Sequence, residues 1–219
     1  MVSHELQTLF GDIDVYLFDQ LLRGRLDARQ RVLDAGCGSG RNLPYFLTRG
    51  FDVSAIDDDA AAVTAVGRLF ARLAPHLSAE HVRLGRVDAL PWSDGSMDAV
   101  ISSAVLHFAG DAAHFTAMVH EMWRVLAPGG LLFVRLATSI GIVDRLAAPV
   151  GRVRLPDGSE RFVVDERMLL SMTPSLGGRL LDPLKTTNVQ NQRAMTTWVL
   201  EKERNAGGPR ATLSPERGV

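Results

Sequence analysis

Apolar positions along the chain alternate between two spacings, one typical of β-strands and the other of amphipathic helices. Short apolar runs predict buried strands, namely Arg31 to Asp34, Phe51 to Ile56, His81 to Val87, Met97 to Ser103 and Leu131 to Leu136. Apolar residues at helical spacing predict the helices that precede or separate them, namely Asp12 to Leu22, Asn42 to Arg49, Asp57 to Ala74 and Asp111 to Leu126. Strands that alternate with helices indicate an α/β fold, in which a doubly wound, mostly parallel sheet carries helices on both faces.

The pattern changes after residue 137. Two short β-like runs flank the turn Pro156-Asp157-Gly158-Ser159 and predict a hairpin over Val153 to Val164, followed by a short helix at Asp165 to Met172. Leu180 to Lys185 and Ala194 to Lys202 predict two more strands, which we interpret as an antiparallel pair at the edge of a seven-stranded sheet. Residues 205–219 are rich in Gly, Pro, Ser and Arg, and we expect a disordered tail there.

Composition narrows the class of protein. The chain has 219 residues, 46% hydrophobic and 22% charged, which suits one globular domain. Its net charge of -1 gives no strong field for nucleic acid or an anionic membrane, and no apolar run approaches the roughly 20 residues that span a bilayer. The single cysteine, Cys37, excludes an intrachain disulfide and a cysteine-based zinc site. Because the N-terminal segment also lacks a basic region and a signal-peptide core, we expect a cytoplasmic location.

The segment that joins the first strand to the next helix reads Asp34-Ala-Gly36-Cys-Gly38-Ser-Gly40. Glycines at such a turn let the backbone approach a ligand closely, and the following helix N-terminus offers unpaired N–H groups. A dinucleotide fingerprint needs its third glycine one position later, and a P-loop needs Gly-Lys-Ser/Thr where this chain has Gly40-Arg41-Asn42. The loop by itself therefore fits several nucleotide-type ligands.

Polar residues also follow the next three strands. Asp57 ends the second strand about 20 residues after the loop, where a carboxylate can accept both hydroxyls of a ribose. Asp88 follows the third strand, where it can accept from an exocyclic amine such as that of adenine, and Ser102 and Ser103 end the fourth. In a doubly wound sheet these positions lie at the carboxyl ends of adjacent strands, where ligands bind.

Four segments in order then resemble a known family. VLDAGCGSGRN, VSAIDDD, VDALPWSDGSMDAVISSAVLHF and HEMWRVLAPGGLLFV, over about residues 30–137, are similar to successive motifs of the small-molecule class I methyltransferases, the "type 11" and tellurite-resistance-like groups above all. The resemblance implies a Rossmann-like fold and an S-adenosylmethionine site. The members of that site would be Asp34, Gly36, Cys37, Gly38, Gly40, Arg41, Asn42, Asp57, Asp58, Asp88, Ala89, Ser102 and Ser103.

The resemblance also implies a role for each part of this set. The loop from Gly36 to Gly40 would hold the methionine part, and Asp34 would orient its amino group. The ribose contact stays open between Asp57 and Asp58, of which the second would also flank the adenine, while Asp88 with its neighbour would recognise the adenine edge. Arg41-Asn42 is a subgroup variant in which the arginine contacts the cofactor or closes the site.

Three further residues have two interpretations each. His107, just beyond the fourth strand, is a general base for a hydroxyl or thiol acceptor, or a packing histidine. Arg135 on an otherwise apolar strand is a substrate or active-site arginine, or half of a structural ion pair. Tyr16 belongs to a lid helix over the cofactor, or to the apolar stripe of that helix.

The implied activity is methyl transfer from S-adenosylmethionine to an O, N or S atom of a small molecule, an EC 2.1.1 reaction that leaves S-adenosylhomocysteine and needs no metal. A non-catalytic S-adenosylmethionine-binding module is the alternative, and protein or nucleic-acid methylation is weaker because SSAVLHF lacks the Asn/Asp-Pro-Pro-aromatic motif. We expect a monomer or homodimer that binds no nucleic acid and does not insert into a membrane. A single domain over 1–204 would comprise a helical lid (1–29), a cofactor-binding core (30–137), and a substrate-side insertion with the last two strands (138–204).

Overall fold

The computed structural model of the chain describes residues 2–27 and 30–204, so the tail expected at 205–219 lies outside the described residues. The helices of the described part are α1 (Val2–Phe10), α2 (Val15–Leu22), α3 (Pro44–Thr48), α4 (Ala60–Leu73), α5 (Ala112–Val125) and α6 (Glu166–Ser175). Its strands are β1 (Arg31–Ala35), β2 (Asp52–Asp57), β3 (Val82–Leu84), β4 (Met97–Ser103), β5 (Leu126–Thr138), β6 (Gly151–Arg154), β7 (Glu160–Val163), β8 (Gly178–Leu180), β9 (Lys185–Val189) and β10 (Arg193–Lys202).

One large sheet carries most of the strands, in the order β3-β2-β1-β4-β5-β10-β8, with β9 also paired to β10. The strands from β3 to β5 are parallel to their neighbours, whereas β10 is antiparallel to β5, β8 and β9. The prediction of a doubly wound, mostly parallel sheet with antiparallel strands at one edge is confirmed. Parallel strands need a long crossover, and the helices between them supply it on both faces.

The number of strands differs from the prediction, because the sheet has eight strands instead of seven. The predicted strand at Leu180 to Lys185 is wrong: β8 and β9 lie one after the other along β10, and residues 181–184 separate them. Pro183 in that segment has no N–H to give to a ladder, and the carboxylate of Asp182 bonds to Arg25 at 2.6 Å. The predicted hairpin at Val153 to Val164 is confirmed as the antiparallel pair β6 and β7.

Several predicted boundaries shift for identifiable reasons. The helix predicted from Asp12 begins at Val15 because Asp14 caps it, and α1 before it was not predicted. The strand predicted over His81 to Val87 is reduced to β3, because β2 ends at the partner of Leu84 and leaves nothing further to pair with. Helix α5 passes directly into β5, whose register with β4 shifts by a bulge where Pro128-Gly129-Gly130 lies.

The two faces of the sheet bury different clusters. Helices α2, α3 and α4 cover one face, which we call the α2 face, and α5 and α6 cover the other. Val32 of β1 belongs to the core of the α2 face and Leu33 to the opposite core, so Asp34 returns to the α2 face. In β5, Phe133 belongs to the α2 face, and Arg135 two places on therefore does too. A carboxylate and a guanidinium thus share the face that α2 covers.

Candidate functional site

A cavity of about 620 Å³ opens beside the carboxyl ends of β1, β2 and β4. The predicted site residues that line it are Gly36, Cys37, Gly38, Arg41, Asn42, Asp57, Asp58, Asp88 and Ser103. The predicted residues outside its lining are Tyr16, Asp34, Gly40, Ala89, Ser102, His107 and Arg135. Nine predicted residues between positions 36 and 103 therefore meet in one cleft, where ligands bind in open parallel sheets.

The three glycines of the loop after β1 have positive φ angles of 81°, 50° and 78° for Gly36, Gly38 and Gly40. A Cβ at Gly36 would lie 2.5 Å from Val105 Cγ2, and one at Gly40 would lie 3.0 Å from Leu69 Cδ2. A Cβ at Gly38 would meet nothing within 4 Å. Two glycines are therefore needed for close packing inside the protein, whereas Gly38 borders open space that a ligand can occupy.

The carboxylate of Asp57 holds this loop. Its Oδ2 accepts the Gly38 N–H at 2.8 Å and its Oδ1 accepts the Asp59 N–H at 3.0 Å. Capping of α4 is left to Asp59, whose Oδ1 accepts the Ala61 N–H at 2.8 Å. Each carboxylate oxygen has a second lone pair. Asp57 can thus accept further hydrogen bonds from a ligand in the cavity, and the exposed side chain of Asp58 lies beside it.

Asp34 is the next-to-last residue of β1, two positions before Gly36, and is completely buried. Its Oδ2 has no hydrogen-bond partner among the described residues. Burial raises the pKa of this carboxyl to about 7, an effect that Arg41 opposes and Asp57 reinforces. A buried acceptor without a donor destabilises the protein. An ammonium group brought by a ligand would satisfy it.

Asp88 lies in the turn that follows β3, and its carboxylate is hydrogen-bonded to a neighbouring arginine. Arg86 donates to both of its oxygens, at 2.8 Å from Nε and 2.6 Å from Nη2, and His114 Nε2 lies 3.5 Å away. The hydrogen bonds from Arg86 lower the pKa of Asp88. Sequence reasoning missed Arg86, because residues 86 and 88 lie in a turn after β3, where no strand periodicity indicates that their side chains meet.

A second group that sequence reasoning missed centres on Asp14. Its Oδ2 accepts from Ser103 Oγ at 2.9 Å, from Arg135 Nη1 at 3.0 Å and from Arg41 Nη2 at 3.3 Å. Its own N–H donates to Asn42 Oδ1 at 3.0 Å. The sequence places Asp14 inside the helix predicted over Asp12 to Leu22, and nothing local reveals its role as N-cap or its distant partners.

These contacts show the surroundings of Arg135, for which the sequence leaves two interpretations. The guanidinium forms an ion pair with Asp14 and lies 5.0 Å from the ring centroid of Tyr16. The Tyr16 hydroxyl is in turn hydrogen-bonded to the Thr187 hydroxyl of β9. Arg135 therefore makes a structural ion pair beside the cavity, and Tyr16 stacks over that pair instead of lining the cavity.

His107 lies in a short 3-10 turn after β4 and is only 6% exposed. Its Nδ1 has no partner among the described residues, and burial, reinforced by Arg161, lowers its pKa to about 4. The neighbouring Phe108 lines the cavity instead, with the Arg161 guanidinium 5.0 Å from its ring centroid. At neutral pH the imidazole is unprotonated and a poor proton acceptor.

Two further features concern the chemistry of the cleft. Burial raises the pKa of the Cys37 thiol, so that residue stays protonated and is no nucleophile. Ala104, which lines the cavity between β4 and the 3-10 turn, has a φ of 67°.

Within residues 2–27 and 30–204 no cluster of His, Cys, Asp or Glu could hold a metal ion, and no helix there is long and apolar enough to cross a membrane.

Comparison with known proteins bears on the same residues. Residues 33–134 match the family model described as a methyltransferase domain. The malonyl-[acyl-carrier protein] O-methyltransferase of Erwinia billingiae is 31% identical over 135 residues, which is 61% of this chain and 49% of that protein. The chain thus spans about half the length of the curated relatives that it matches.

Solved structures share the fold. A methyltransferase of Methanosarcina mazei described as SAM-dependent superposes with a TM-score of 0.66 at 19% identity, over 84% of this chain and 97% of that one. The 1,6-didemethyltoxoflavin-N1-methyltransferase of Burkholderia thailandensis, solved with S-adenosylhomocysteine, gives 0.65 at 18% identity, over 92% of this chain and 87% of that one. The resemblance seen in the four sequence segments is confirmed. Residues 33–134 of the chain are therefore similar to the methyltransferase domains of that family.

Proposed function

We propose that this chain binds S-adenosylmethionine in the 620 Å³ cavity and moves its methyl group to an O, N or S atom of a small molecule. The observation that carries the proposal is the combination of an open backbone at Gly38, the loop-holding carboxylate of Asp57 in the same cavity, and the unpartnered oxygen of the buried Asp34, two positions before the loop glycines. These three features offer room for a ligand, acceptors for a diol and an acceptor for an ammonium group. S-adenosylmethionine carries both of those polar groups.

The residues present fit this cofactor. The backbone around Gly38 and that of Ser102 and Ser103 would hold the methionine part, whose amino group would donate to Asp34. Arg41, 39% exposed at its side chain and lining the cavity, would take the carboxylate.

The nucleoside end of the cofactor would contact three aspartate side chains. The two oxygens of Asp57 would accept from the ribose hydroxyls, which favours this residue over the more exposed Asp58 as the ribose ligand. Asp58 would then flank the adenine. Asp88 with Ala89 would meet the adenine edge, and the Arg86 fork would keep the Asp88 carboxylate ionised.

The chemistry comes from the cofactor, since its sulfonium supplies an activated methyl group and its own leaving group. The work left to the protein is to align the acceptor and to exclude water. A base is needed only when the acceptor must lose a proton, and the lowered pKa of His107 makes it a weak one. We therefore assign His107 and Arg135 to packing and to the Asp14 ion pair, and the proposed mechanism uses no metal.

The acceptor side of the site is formed by the parts of the chain outside the cofactor core. We propose a single domain, in which residues 2–27 cover the α2 face and residues 138–204 select the acceptor. Arg161 of β7, stacked on Phe108 at the cavity, favours an anionic or electron-rich small molecule. A net charge of -1 gives no reason to expect nucleic acid as a partner, and we place the enzyme in the cytoplasm as a monomer or homodimer.

Titration calorimetry with S-adenosylmethionine and S-adenosylhomocysteine tests the cofactor. We expect Asp57→Ala to weaken binding at least tenfold, because a charged acceptor is lost and the Gly38 N–H is released. Asp52→Ala, at the opposite end of β2 and bonded to His81, is the matched control and should bind as the wild type does. Equal affinities of Asp57→Ala and wild type would contradict the assignment.

A methyl-transfer assay tests the reaction. Radiolabelled methyl from the cofactor is followed onto panels of carboxylates, phenols, thiols and nitrogen heterocycles, and transfer to at least one class is expected. A protein that binds the cofactor but transfers to none of them would instead favour the non-catalytic binding module. Enhanced fluorescence of a reduced nicotinamide on mixing would point to a third class, the NAD-dependent oxidoreductases.

A further inference from the structure

The Asp14 carboxylate joins four separate parts of the chain. Its side chain is completely buried, and its Oδ1 accepts the N–H of Tyr16 at the start of α2. Its Oδ2 accepts hydrogen bonds from Arg41, which follows the glycine loop, from Ser103 at the end of β4 and from Arg135 of β5. Four donors on one buried carboxylate are more than capping of α2 requires.

Arg41 is the member of this group that also faces the cavity. Its Nη2 donates to Asp14 at 3.3 Å and to Ser103 Oγ at 2.7 Å. Ser103 Oγ donates onward to Asp14 at 2.9 Å, so the three side chains form a closed ring. A guanidinium has five N–H donors, and Nε and Nη1 of Arg41 bond to no residue in the described part of the chain. These donors are available to a ligand.

We propose that Asp14 is a positioning residue of the cofactor site, which acts through Arg41 and Ser103. An arginine side chain that is free in solvent must lose rotamer entropy when it binds a ligand. The ring with Asp14 and Ser103 removes part of that loss beforehand, because the guanidinium is already held at the cavity wall. This inference rests on the proposed function, in which Arg41 takes the cofactor carboxylate.

The inference makes helix α2 part of the cofactor site. The capping residue of α2 sets the geometry of a side chain that lies 27 positions away in sequence. Charge supports the arrangement: Asp14 neutralises one of the two arginines, Arg41 and Arg135, and an anionic ligand would neutralise the other. A purely structural clamp would stabilise the fold equally well without any link to cofactor affinity.

A double-mutant cycle on the affinity for S-adenosylhomocysteine separates these two roles. We expect Asp14→Asn to weaken binding about fivefold to tenfold and Arg41→Gln at least tenfold. In the Arg41→Gln background, Asp14→Asn should change affinity less than twofold, because the residue through which it acts is absent. Asp19→Asn removes another ion-paired carboxylate of the same helix, bonded to Arg23 and Lys185, and should leave affinity unchanged.

The ring offers a milder variant in case Asp14→Asn does not fold. Ser103→Ala removes one bridge of the ring without leaving a charge unpaired, and the same cycle with Arg41→Gln should again be non-additive. Additive effects in the cycle, or unchanged affinity in Asp14→Asn and Ser103→Ala, would overturn the positioning role alone. Failure of the wild-type protein to bind S-adenosylhomocysteine would overturn the proposed function and this inference together.

Discussion

Two carboxylates are buried completely on the α2 face, Asp34 at the end of β1 and Asp14 at the start of α2. Asp14 accepts four hydrogen bonds, two of them from arginines. Asp34 has an oxygen with no partner among the described residues, and its burial raises its pKa to about 7. Two carboxylates on the same face therefore differ in their hydrogen bonding: that of Asp14 is satisfied, and that of Asp34 is not.

The difference separates what holds the protein together from what waits for a ligand. A saturated buried carboxylate ties the elements that donate to it, and removal of it leaves its partners unpaired. An unsatisfied one costs stability in the ligand-free protein and gains a donor only when a ligand arrives. Functional sites are where a fold tolerates such local cost. Variants at the two positions should therefore move stability in opposite directions.

The largest effect is expected from Asp14→Ala. This change leaves the half-buried Arg135 without its partner, and breaking such a pair costs up to about 3–5 kcal/mol of the free energy of unfolding. Urea denaturation followed by circular dichroism measures it. Arg23→Ala, which removes an exposed partner of Asp19, is the comparison and should cost less than about 1 kcal/mol. Equal losses in the two variants would show that burial of Asp14 is energetically unimportant.

Asp34→Asn should act in the opposite direction. The folded-state pKa of about 7 lies above the ordinary 3.8, so the folded protein binds the extra proton and loses stability as pH rises from 3.8 to 7. The amide cannot ionise, and the variant should be more stable than wild type at pH 8 by up to about 4 kcal/mol, a gain absent at pH 4. The same variant should bind the cofactor worse. A destabilised Asp34→Asn at pH 8 would contradict the unsatisfied state of Asp34.

His107 extends the comparison to a buried base. Its folded pKa of about 4 lies below the ordinary 6.5, so its contribution to stability is complete above pH 6.5 and falls as pH drops to 4. Over this whole pH range the loss corresponds to about 3 kcal/mol of the free energy of unfolding. Between pH 7.5 and pH 4.5, His107→Gln should lose less free energy of unfolding than wild type. The exposed His120 provides the control, His120→Gln, which should follow the wild-type curve.

The smallest effect on folding is expected at Gly38. Alanine there has open space but keeps a φ of 50°, which costs about 1–2 kcal/mol. Its methyl group enters the cavity, and cofactor affinity should fall at least tenfold. Gly36→Ala meets Val105 at 2.5 Å and should cost more in stability than Gly38→Ala does. If Gly38→Ala binds as wild type does, the ligand does not approach this part of the loop.

Local features made the part of the molecule from β1 to β4 predictable. The glycine loop, Asp57 and Asp88 lie at strand ends, and a parallel sheet brings its strand ends to one edge whatever the other side chains are. The antiparallel edge was predicted less well. Strands β8 and β9 are short, and the segment between them has no periodicity that distinguishes a strand from a connection. Pairing with β10 decides which of these residues form strands. Such pairing depends on two segments of the chain, so neither segment predicts it alone.

The sequence by itself determined the α/β fold, the strand-end cleft and the resemblance to methyltransferases, because each depends on short-range patterns and their order. The tertiary structure decided the roles of Asp14, Arg41 and Arg135, whose contacts span 27 to 121 positions of sequence. It also decided which of two buried carboxylates is satisfied. Such contacts form only when distant elements pack, and a buried charge is stable or costly according to the donors that packing brings to it.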